Sequence, residues 1–154
     1  MNVISLVQHA PTAPGLRLLG MGPRLTPTNG LGKLQSFLNE NAFWAKDRNK
    51  QQICKMLSNS TVIVSLWSSN QLIGFGRATS DLVFRAVLWD VVIASDCQGL
   101  GFGKLIIEAI LTNKKIKSVE RVYLMTTKSS EFYKQLGFKL NSKQSLLMIN
   151  KNEY

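Results

Sequence analysis

The sequence has very little histidine and cysteine. Its 154 residues include one histidine, His9, and two cysteines, Cys54 and Cys97, which lie far apart and outside any CxxC pattern. A tetrahedral zinc site needs clustered Cys and His ligands, and a Ser-His-Asp or Cys-His nucleophile needs a well-placed imidazole. We therefore expect no metal and two reduced thiols. If the chain is an enzyme, its acid and base are carboxylates, tyrosines, water or the substrate itself.

Long apolar runs are also missing. No run approaches the roughly 18 residues of a membrane-spanning helix, and the opening residues "MNVISLVQHAPTAPG" have neither a basic start nor a long apolar middle. The sequence thus predicts no transmembrane segment, no secretory signal and no membrane partner. We expect a cytoplasmic protein.

Acidic residues are scarce, with 9 Asp and Glu against 19 Lys and Arg, for a formal net charge of +10. Such a charge attracts nucleic acid, an anionic surface or a phosphate-rich ligand, and it disfavours a polycationic substrate. One alternative interpretation is a basic RNA- or DNA-binding protein, because "KSSEFYKQLGFK" interleaves lysines with aromatics as single-strand binders do. The apolar setting of those aromatics makes nucleic acid the less favoured partner.

The length and the globular composition suit one domain over residues 1–154. All four prolines fall within the first 27 residues, which predicts an irregular, extended segment over 1–29, with one strand at 16–20 at most. Helical spacing of apolar residues then predicts helices over about 30–40 and 48–58.

Strand patterns dominate the middle of the chain. "TVIVSLW" and "QLIGFGRAT" predict a hairpin, and the almost unbroken apolar run "VFRAVLWDVVIAS" predicts a central strand buried on both faces. A helix at 101–112 follows, then the strand "RVYLMTT", the helix "SSEFYKQL" ending at Gly137, and two closing strands, "FKLN" and "SLLMIN". This order predicts an α/β (α+β) domain with a mixed sheet, in which the unit 84–127 is parallel and right-handed.

The stretch "SDCQGLGFGKLIIEAIL" places three glycines just before a predicted helix. Glycines there let the backbone approach a phosphate at the helix N-terminus. The Rossmann GxGxxG pattern fails because Lys104 and Ile106 stand where glycine is required, and the P-loop pattern fails at Gln98 and Leu105. What remains is Q-x-x-G-x-G.

This motif resembles the acetyl-coenzyme A signature of the GNAT superfamily of N-acetyltransferases, and "EFYKQLGF" resembles a second motif of that family at about the same spacing. Longer phrases such as "LWDVVIA" are similar to cyanobacterial and plastid members related to plant serotonin N-acetyltransferase. The resemblance implies a mostly antiparallel sheet of about six or seven strands, with about four helices and a splayed parallel strand pair. It also implies acetyl transfer to a primary amine in a ternary complex, in the cytoplasm or, if organellar, the plastid stroma. The protein would be a monomer or homodimer.

The resemblance also implies a set of site residues. Tyr133 matches the family's common acid, and a tyrosine, with a reference pKa of about 10, holds its proton at neutral pH. Asp90, a carboxylate in an apolar run, is the candidate base or amine anchor. The alternative is a structural pair with Arg77, Arg85 or a backbone group, in which case Glu120 or water is the base. The implied acetyl-CoA contacts are Val91, Val92, Ile93, Gln98, Gly99, Leu100, Gly101, Phe102, Gly103, Lys104, Ser130 and Tyr133.

The acceptor is less constrained. The resemblance implies that Phe43, Trp44 and Arg48, between the first two helices, lie near the acceptor site, and the acceptor is an arylalkylamine such as serotonin, or a protein N-terminus or lysine. Plant serotonin acetyltransferases end the strand after the helix in aspartate, where this chain has Thr126. A GNAT fold that binds acetyl-CoA as a sensor without catalysis is a further alternative.

Overall fold

The structure, a computed structural model, describes residues 3–9 and 29–152. Its centre is a five-stranded sheet in the order β1-β2-β3-β4-β5. The first four strands pair antiparallel with one another, and β5 runs parallel to β4. The strands are β1 (Ile4–His9), β2 (Val62–Ser68), β3 (Gln71–Ser80), β4 (Arg85–Ile93) and β5 (Arg121–Tyr123).

Four α-helices accompany the sheet: α1 (Gly30–Asn41), α2 (Lys50–Ser58), α3 (Phe102–Thr112) and α4 (Ser130–Gln135). A short 3₁₀ turn, Phe43–Ala45, lies between α1 and α2. The start of α2 is fixed by a capping box, in which the Asn49 side chain accepts from the Gln52 backbone N–H and the Gln52 side chain accepts from that of Asn49.

Two glycines of β3 bring α3 close to the sheet. A Cβ at Gly74 or at Gly76 would lie 2.7 Å from a side-chain carbon of Ile106. Ile106, Ile107 and Ile110 are fully buried on α3 and form the apolar face of this helix. The close packing holds the N-terminal end of α3 against the sheet, at the point where β4 ends.

The sequence predictions hold for the mixed sheet, the four helices and the parallel pair, and three details are corrected. The sheet has five strands in the described residues rather than six or seven, because 138–141 and 145–150 form no strand. Residues 4–9, predicted to be irregular, form β1, whose pairing with β2 completes one edge of the sheet. The strand suggested at 16–20 lies outside the described residues.

The third detail concerns β4. Its burial alternates along the strand, with Ala86, Leu88, Asp90 and Val92 buried and the intervening residues only partly covered. β4 is therefore less completely buried than the predicted central strand, because every second residue is partly exposed, whereas in β3 every residue from 72 to 76 is buried.

Candidate active site

The parallel strands β4 and β5 pair at one end only. Their register joins Arg85 to Arg121, Ala86 to Val122 and Val87 to Tyr123, and then stops. β4 continues to Ile93 with β3 on one side and no β5 partner on the other. Because an unpaired strand edge exposes backbone N–H and C=O groups, this part of β4 can accept an extended ligand as an additional strand.

A bulge in β4 lies within this open stretch. Phe75 opposes Val92 and Arg77 opposes Trp89, so Gly76 alone faces the two residues between them. Asp90 is the first of those two, and its φ is 50°, a left-handed conformation that non-glycine residues seldom adopt. The bulge turns the Asp90 side chain inward, where only 4% of it is exposed.

The glycine loop follows the open end of β4. Gly99 and Gly101 have φ values of 77° and 83°, and a Cβ built at either would meet nothing within 4 Å. Glycine is thus required there by backbone conformation, with open space around it. Gly101 is the N-cap of α3 and provides no capping side chain, so the first amides of the helix point outward without a partner from the cap. This combination suits a bound phosphate group.

The second motif meets the first through Phe132. A Cβ at Gly103, in the first turn of α3, would lie 3.0 Å from Cζ of Phe132 on α4. Phe132 in turn makes an edge contact with Tyr133, with ring centroids 5.1 Å apart, and Tyr133 makes another with Phe138 at 5.8 Å. The two motifs, about 30 residues apart in the sequence, therefore form one contiguous structure.

Tyr133 is partly buried in this aromatic cluster, and burial raises the pKa of its hydroxyl above the ordinary value. Among the described residues, that hydroxyl has no hydrogen-bond partner. A protonated phenol that is held by its ring and has a free O–H is available to donate a proton or a hydrogen bond.

Asp90 joins three donors in a compact cluster. Its Oδ2 accepts from Arg77 Nε at 2.9 Å and from Arg48 Nη1 at 3.1 Å, and its Oδ1 accepts from Trp44 Nε1 at 3.1 Å. Burial alone would raise the pKa of Asp90, but the ion pairs and hydrogen bonds with Arg77 and then Arg48 outweigh it and hold this pKa below its ordinary value. The carboxylate is therefore charged and fully engaged.

The sequence pointed to Arg77 or Arg85 as partners of Asp90; the structure has Arg77 and, in addition, Arg48. Arg48 and Trp44 are more than 40 residues away in the chain, and no local pattern connects them to β4. The cluster holds the segment between α1 and α2 beside the open part of β4. Asn41 makes a second link, because its Oδ1 accepts from the backbone N–H of Ser95 at 3.1 Å.

The alternative base, Glu120, lies elsewhere. Its backbone N–H donates to the carbonyl of Val83, and its exposed carboxylate contacts Arg85 and Arg121 at 3.3 and 3.4 Å. Glu120 therefore lies beside residues 83–84, just before β4 begins. Asp90 is six to seven residues further along the chain, or about 20 Å away at the usual rise of a strand. Glu120 is thus at the opposite end of the parallel pair from the glycine loop.

The remaining predicted contacts lie around the loop and the two helix starts. Val92 is buried, Val91 and Ile93 are partly buried, and Leu100 is 65% exposed. Gln98 is exposed, and its Nε2 donates to the Ile93 carbonyl at 3.4 Å, across the turn. Phe102 and Lys104 lie in the first turn of α3, where Lys104 Nζ is 3.7 Å from the carboxylate of Glu108. Ser130 is the first residue of α4, and in that helix Lys134 pairs with Glu131 at 2.6 Å.

Two further observations concern metals and membranes. Within residues 3–9 and 29–152, no group of three or more His, Cys, Asp or Glu side chains is arranged to hold a metal ion. None of the helices in that same part of the chain combines the length and the apolar character needed to cross a bilayer.

A mixed sheet with a splayed parallel pair, and a glycine loop leading from the open strand into a helix, defines a GNAT-type acetyltransferase fold. The profile of the acetyltransferase (GNAT) domain matches residues 58–140, more than half of the chain. The chain belongs to this family, which confirms the resemblance read from its two motifs.

Relatives from plastids and cyanobacteria share this domain. The chain is 39% identical over 100 residues to the uncharacterized N-acetyltransferase ycf52 of Pyropia yezoensis, covering 62% of this chain and 57% of the relative. It is 32% identical over 102 residues to the chloroplastic serotonin N-acetyltransferase 2 of rice, covering 61% and 50%. The matching part of the chain thus spans about half the length of these relatives.

Solved structures agree on the fold. A GNAT-family structure from Xanthomonas campestris pv. campestris superposes with a TM-score of 0.75 at 20% identity, covering 97% of this chain and 94% of the other. At that identity the likeness concerns the fold alone.

Proposed function

We propose that this chain is an acetyl-CoA-dependent N-acetyltransferase that transfers an acetyl group to a primary amine by direct attack in a ternary complex. The observation that carries the proposal is the open edge of β4, which leads directly into the glycine loop and the uncapped start of α3. The open edge of β4 suits the extended pantetheine arm of acetyl-CoA, and the uncapped start of α3 suits its pyrophosphate. Bound acetyl-CoA would supply the acetyl group in activated form, as a thioester.

The residues of the chain then have distinct roles. Val91, Val92 and Ile93 offer backbone groups to the pantetheine arm, and an N–H near Val92 or Ile93 polarises the carbonyl. Residues 98–104 offer backbone amides to the pyrophosphate. Tyr133 gives its proton to the leaving sulfur, a role supported by its free hydroxyl and raised pKa.

For Asp90 we propose a positioning role rather than that of a base. A carboxylate that accepts from Arg77, Arg48 and Trp44, and whose pKa is lowered, is a weak proton acceptor at neutral pH. Its ion pair with Arg48 and its hydrogen bond with Trp44 hold these two side chains beside the open strand. Water then takes the proton from the attacking amine.

The acceptor we propose is an arylalkylamine such as serotonin, with a protein N-terminus or lysine as the second choice. Phe43 and Trp44 make an edge contact at 5.1 Å and are 66% and 49% exposed, so they present an aromatic surface next to the Asp90 cluster. The rice relative, named for serotonin, supports the same class. The compartment we propose is the cytoplasm or, if the protein is organellar, the plastid stroma, which the chloroplastic rice relative supports.

The test is a panel assay. The purified protein is mixed with acetyl-CoA and, separately, with arylalkylamines, polyamines, lysine peptides and free N-terminal peptides, and the release of thiol is followed. We expect turnover with an arylalkylamine or peptide and little with polyamines, which the +10 charge repels. Absence of turnover with every acceptor, together with absence of acetyl-CoA binding in calorimetry, would overturn the proposal.

Two other outcomes separate the alternatives. Acetyl-CoA binding without turnover would indicate the non-catalytic sensor. Tight, salt-dependent binding to RNA or DNA would indicate the nucleic-acid binder, but the aromatic rings of Phe132, Tyr133 and Phe138 contact one another and are only partly exposed. This packing leaves them poorly suited to stack with bases and supports the enzyme.

A further inference from the structure

Two arginines share a single carboxylate beside the open part of β4. Asp90 Oδ2 accepts from Arg77 at 2.9 Å and from Arg48 at 3.1 Å. Both guanidinium groups keep their charge at any ordinary pH, and the lowered pKa of Asp90 keeps the carboxylate charged as well. Two cations and one anion leave the cluster with a surplus of one positive charge, which attracts a further anion.

This surplus charge is accessible at Arg48 rather than at Arg77. Arg77 donates from Nε to Asp90 and from Nη1 to Ser60 Oγ at 3.4 Å, and its side chain is only 13% exposed. Arg48 is 29% exposed and makes its side-chain contacts through Nη1 alone, to Asp90 and to Met56 Sδ at 3.5 Å. Over the residues that the structure describes, the Nε and Nη2 groups of Arg48 therefore have no acceptor.

Arg48 is also held in position before any ligand binds. Its backbone carbonyl accepts from Gln35 Nε2 on α1 at 3.0 Å, while its Nη1 is fixed on Asp90. Lys46 and Asp47, the two residues before it, are exposed and carry opposite charges, so together they do not alter the surplus. A guanidinium that is already oriented loses little conformational entropy when it binds an anion.

An aromatic surface lies beside this guanidinium. Trp44 Nε1 donates to Asp90 Oδ1 at 3.1 Å, so the indole and the Arg48 guanidinium contact the two oxygens of one carboxylate. Phe43 makes an edge contact with Trp44, and both rings are largely exposed. A ligand that combines an aromatic ring with a carboxylate matches both features.

We propose that Arg48 determines acceptor specificity by binding a carboxylate of the acceptor, so that the enzyme selects aromatic amines carrying this group, as aromatic α-amino acids do. The inference rests on the proposed function and narrows its arylalkylamine class. Nε and Nη2 form the planar fork that binds a carboxylate through two parallel hydrogen bonds. The surplus positive charge also disfavours the ammonium form of a bound acceptor, and the neutral amine is the form that attacks the thioester.

The experiment compares three acceptors that share an indole ring and an amine: tryptophan, tryptophanamide, in which the carboxylate is neutralised, and tryptamine, which lacks it. Thiol release gives kcat/KM for each. We expect tryptophan to exceed the other two about tenfold, as hydrogen bonds to a charged group do. Arg48→Lys keeps the charge and a partner for Asp90 but loses the fork, so it should raise the KM for tryptophan and bring the three kcat/KM values close together.

The matched control is Arg121→Gln, which removes a 57% exposed arginine at the other end of the parallel pair and should keep the wild-type preference. The ratio between acceptors within one variant is insensitive to partial unfolding, which lowers all three rates equally. A wild type that does not prefer tryptophan, or a preference that survives in Arg48→Lys, would overturn the proposal.

A binding measurement separates this proposal from the proposed function. NMR titration of the same three compounds, with coenzyme A in place of acetyl-CoA, requires no acetyl transfer. Tighter binding of tryptophan that is lost in Arg48→Lys would support the carboxylate site even if no acceptor released thiol. Turnover of tryptamine together with equal binding of all three compounds would support the acetyltransferase and overturn the role of Arg48.

Discussion

Phe132 on α4 lies directly over Gly103 on α3, with 3.0 Å between its Cζ and the position a Cβ would occupy at Gly103. The two motifs of the family are joined at this contact, which the spacing of either motif alone does not reveal. The absence of a side chain at residue 103 is therefore a packing requirement, independent of the phosphate contact that we propose for this loop.

This contact predicts a measurable coupling between the two positions. Gly103→Ala gains about 0.5–1 kcal/mol from helix propensity but forces the Phe132 ring to move. In a Phe132→Leu background the crowding is relieved. We expect the effect of Gly103→Ala on the free energy of unfolding to be about 1 kcal/mol more favourable in that background than in the wild type, measured by a double-mutant cycle in urea. Additive effects would show that the ring yields freely.

Tyr133→Phe tests the proposed acid. The change removes only the hydroxyl, which has no partner in the described residues, so the fold and the affinity for acetyl-CoA should be preserved while kcat falls about 100-fold. Because burial raises the pKa of Tyr133, wild-type turnover should persist as the pH rises to about 10 and decline above it. Tyr123→Phe, on β5, is the control and should keep its kcat. An unchanged kcat in Tyr133→Phe would remove the acid role.

Much of the fold could be predicted because its signals are local. Helical spacing located α1 to α3 to within about two residues at each end, and the glycine loop followed from residue types at fixed positions. β1 was missed because the prolines that follow it dominated the interpretation of the whole segment, although "ISLVQH" alternates in burial as an edge strand does. The closing strands at 138–150 were predicted from β propensity alone, and propensity does not provide a pairing partner.

The site was only partly predictable, because its contacts join residues that are far apart in the sequence. Asp90 was identified as a costly buried carboxylate, but Arg48 and Trp44 reach it through the tertiary fold, from a segment more than 40 residues away. The bulge that turns Asp90 inward depends on the register of β3 against β4. Such long-range geometry leaves no periodic trace in the sequence.

Gly101→Ala tests the glycine loop. Because a Cβ there meets nothing within 4 Å, the cost arises from the left-handed φ of 83° alone, about 1–2 kcal/mol of unfolding free energy. Gly101→Asn should cost less, since asparagine tolerates this conformation better. We expect calorimetry to show weaker acetyl-CoA binding for the alanine variant than for the asparagine variant. If both variants bind like the wild type, the loop backbone does not contact the ligand.

Asp90→Asn tests the positioning cluster. The change leaves Arg77 and Arg48 beside a neutral amide, and we expect a loss of about 3 kcal/mol in the free energy of unfolding at neutral pH. Asp96→Asn, which alters an exposed aspartate close to the glycine loop, is the matched control and should cost little. If Asp90 were the base, Asp90→Asn would lose nearly all turnover even under conditions where the variant is fully folded, and Asp90→Glu, which keeps a carboxylate, would recover part of it.

The same variant should alter the acid dependence of stability. Because the folded pKa of Asp90 lies below its unfolded value of about 3.9, the carboxylate contributes stability that is fully present above about pH 4 and is lost as the pH falls through the folded pKa. The wild type should therefore lose stability more steeply than Asp90→Asn over that interval, and the two curves should converge at the acid end. Urea unfolding at a series of pH values measures this difference, and curves that stay parallel would show that the ion pairs with Arg77 and Arg48 add nothing to the folded state.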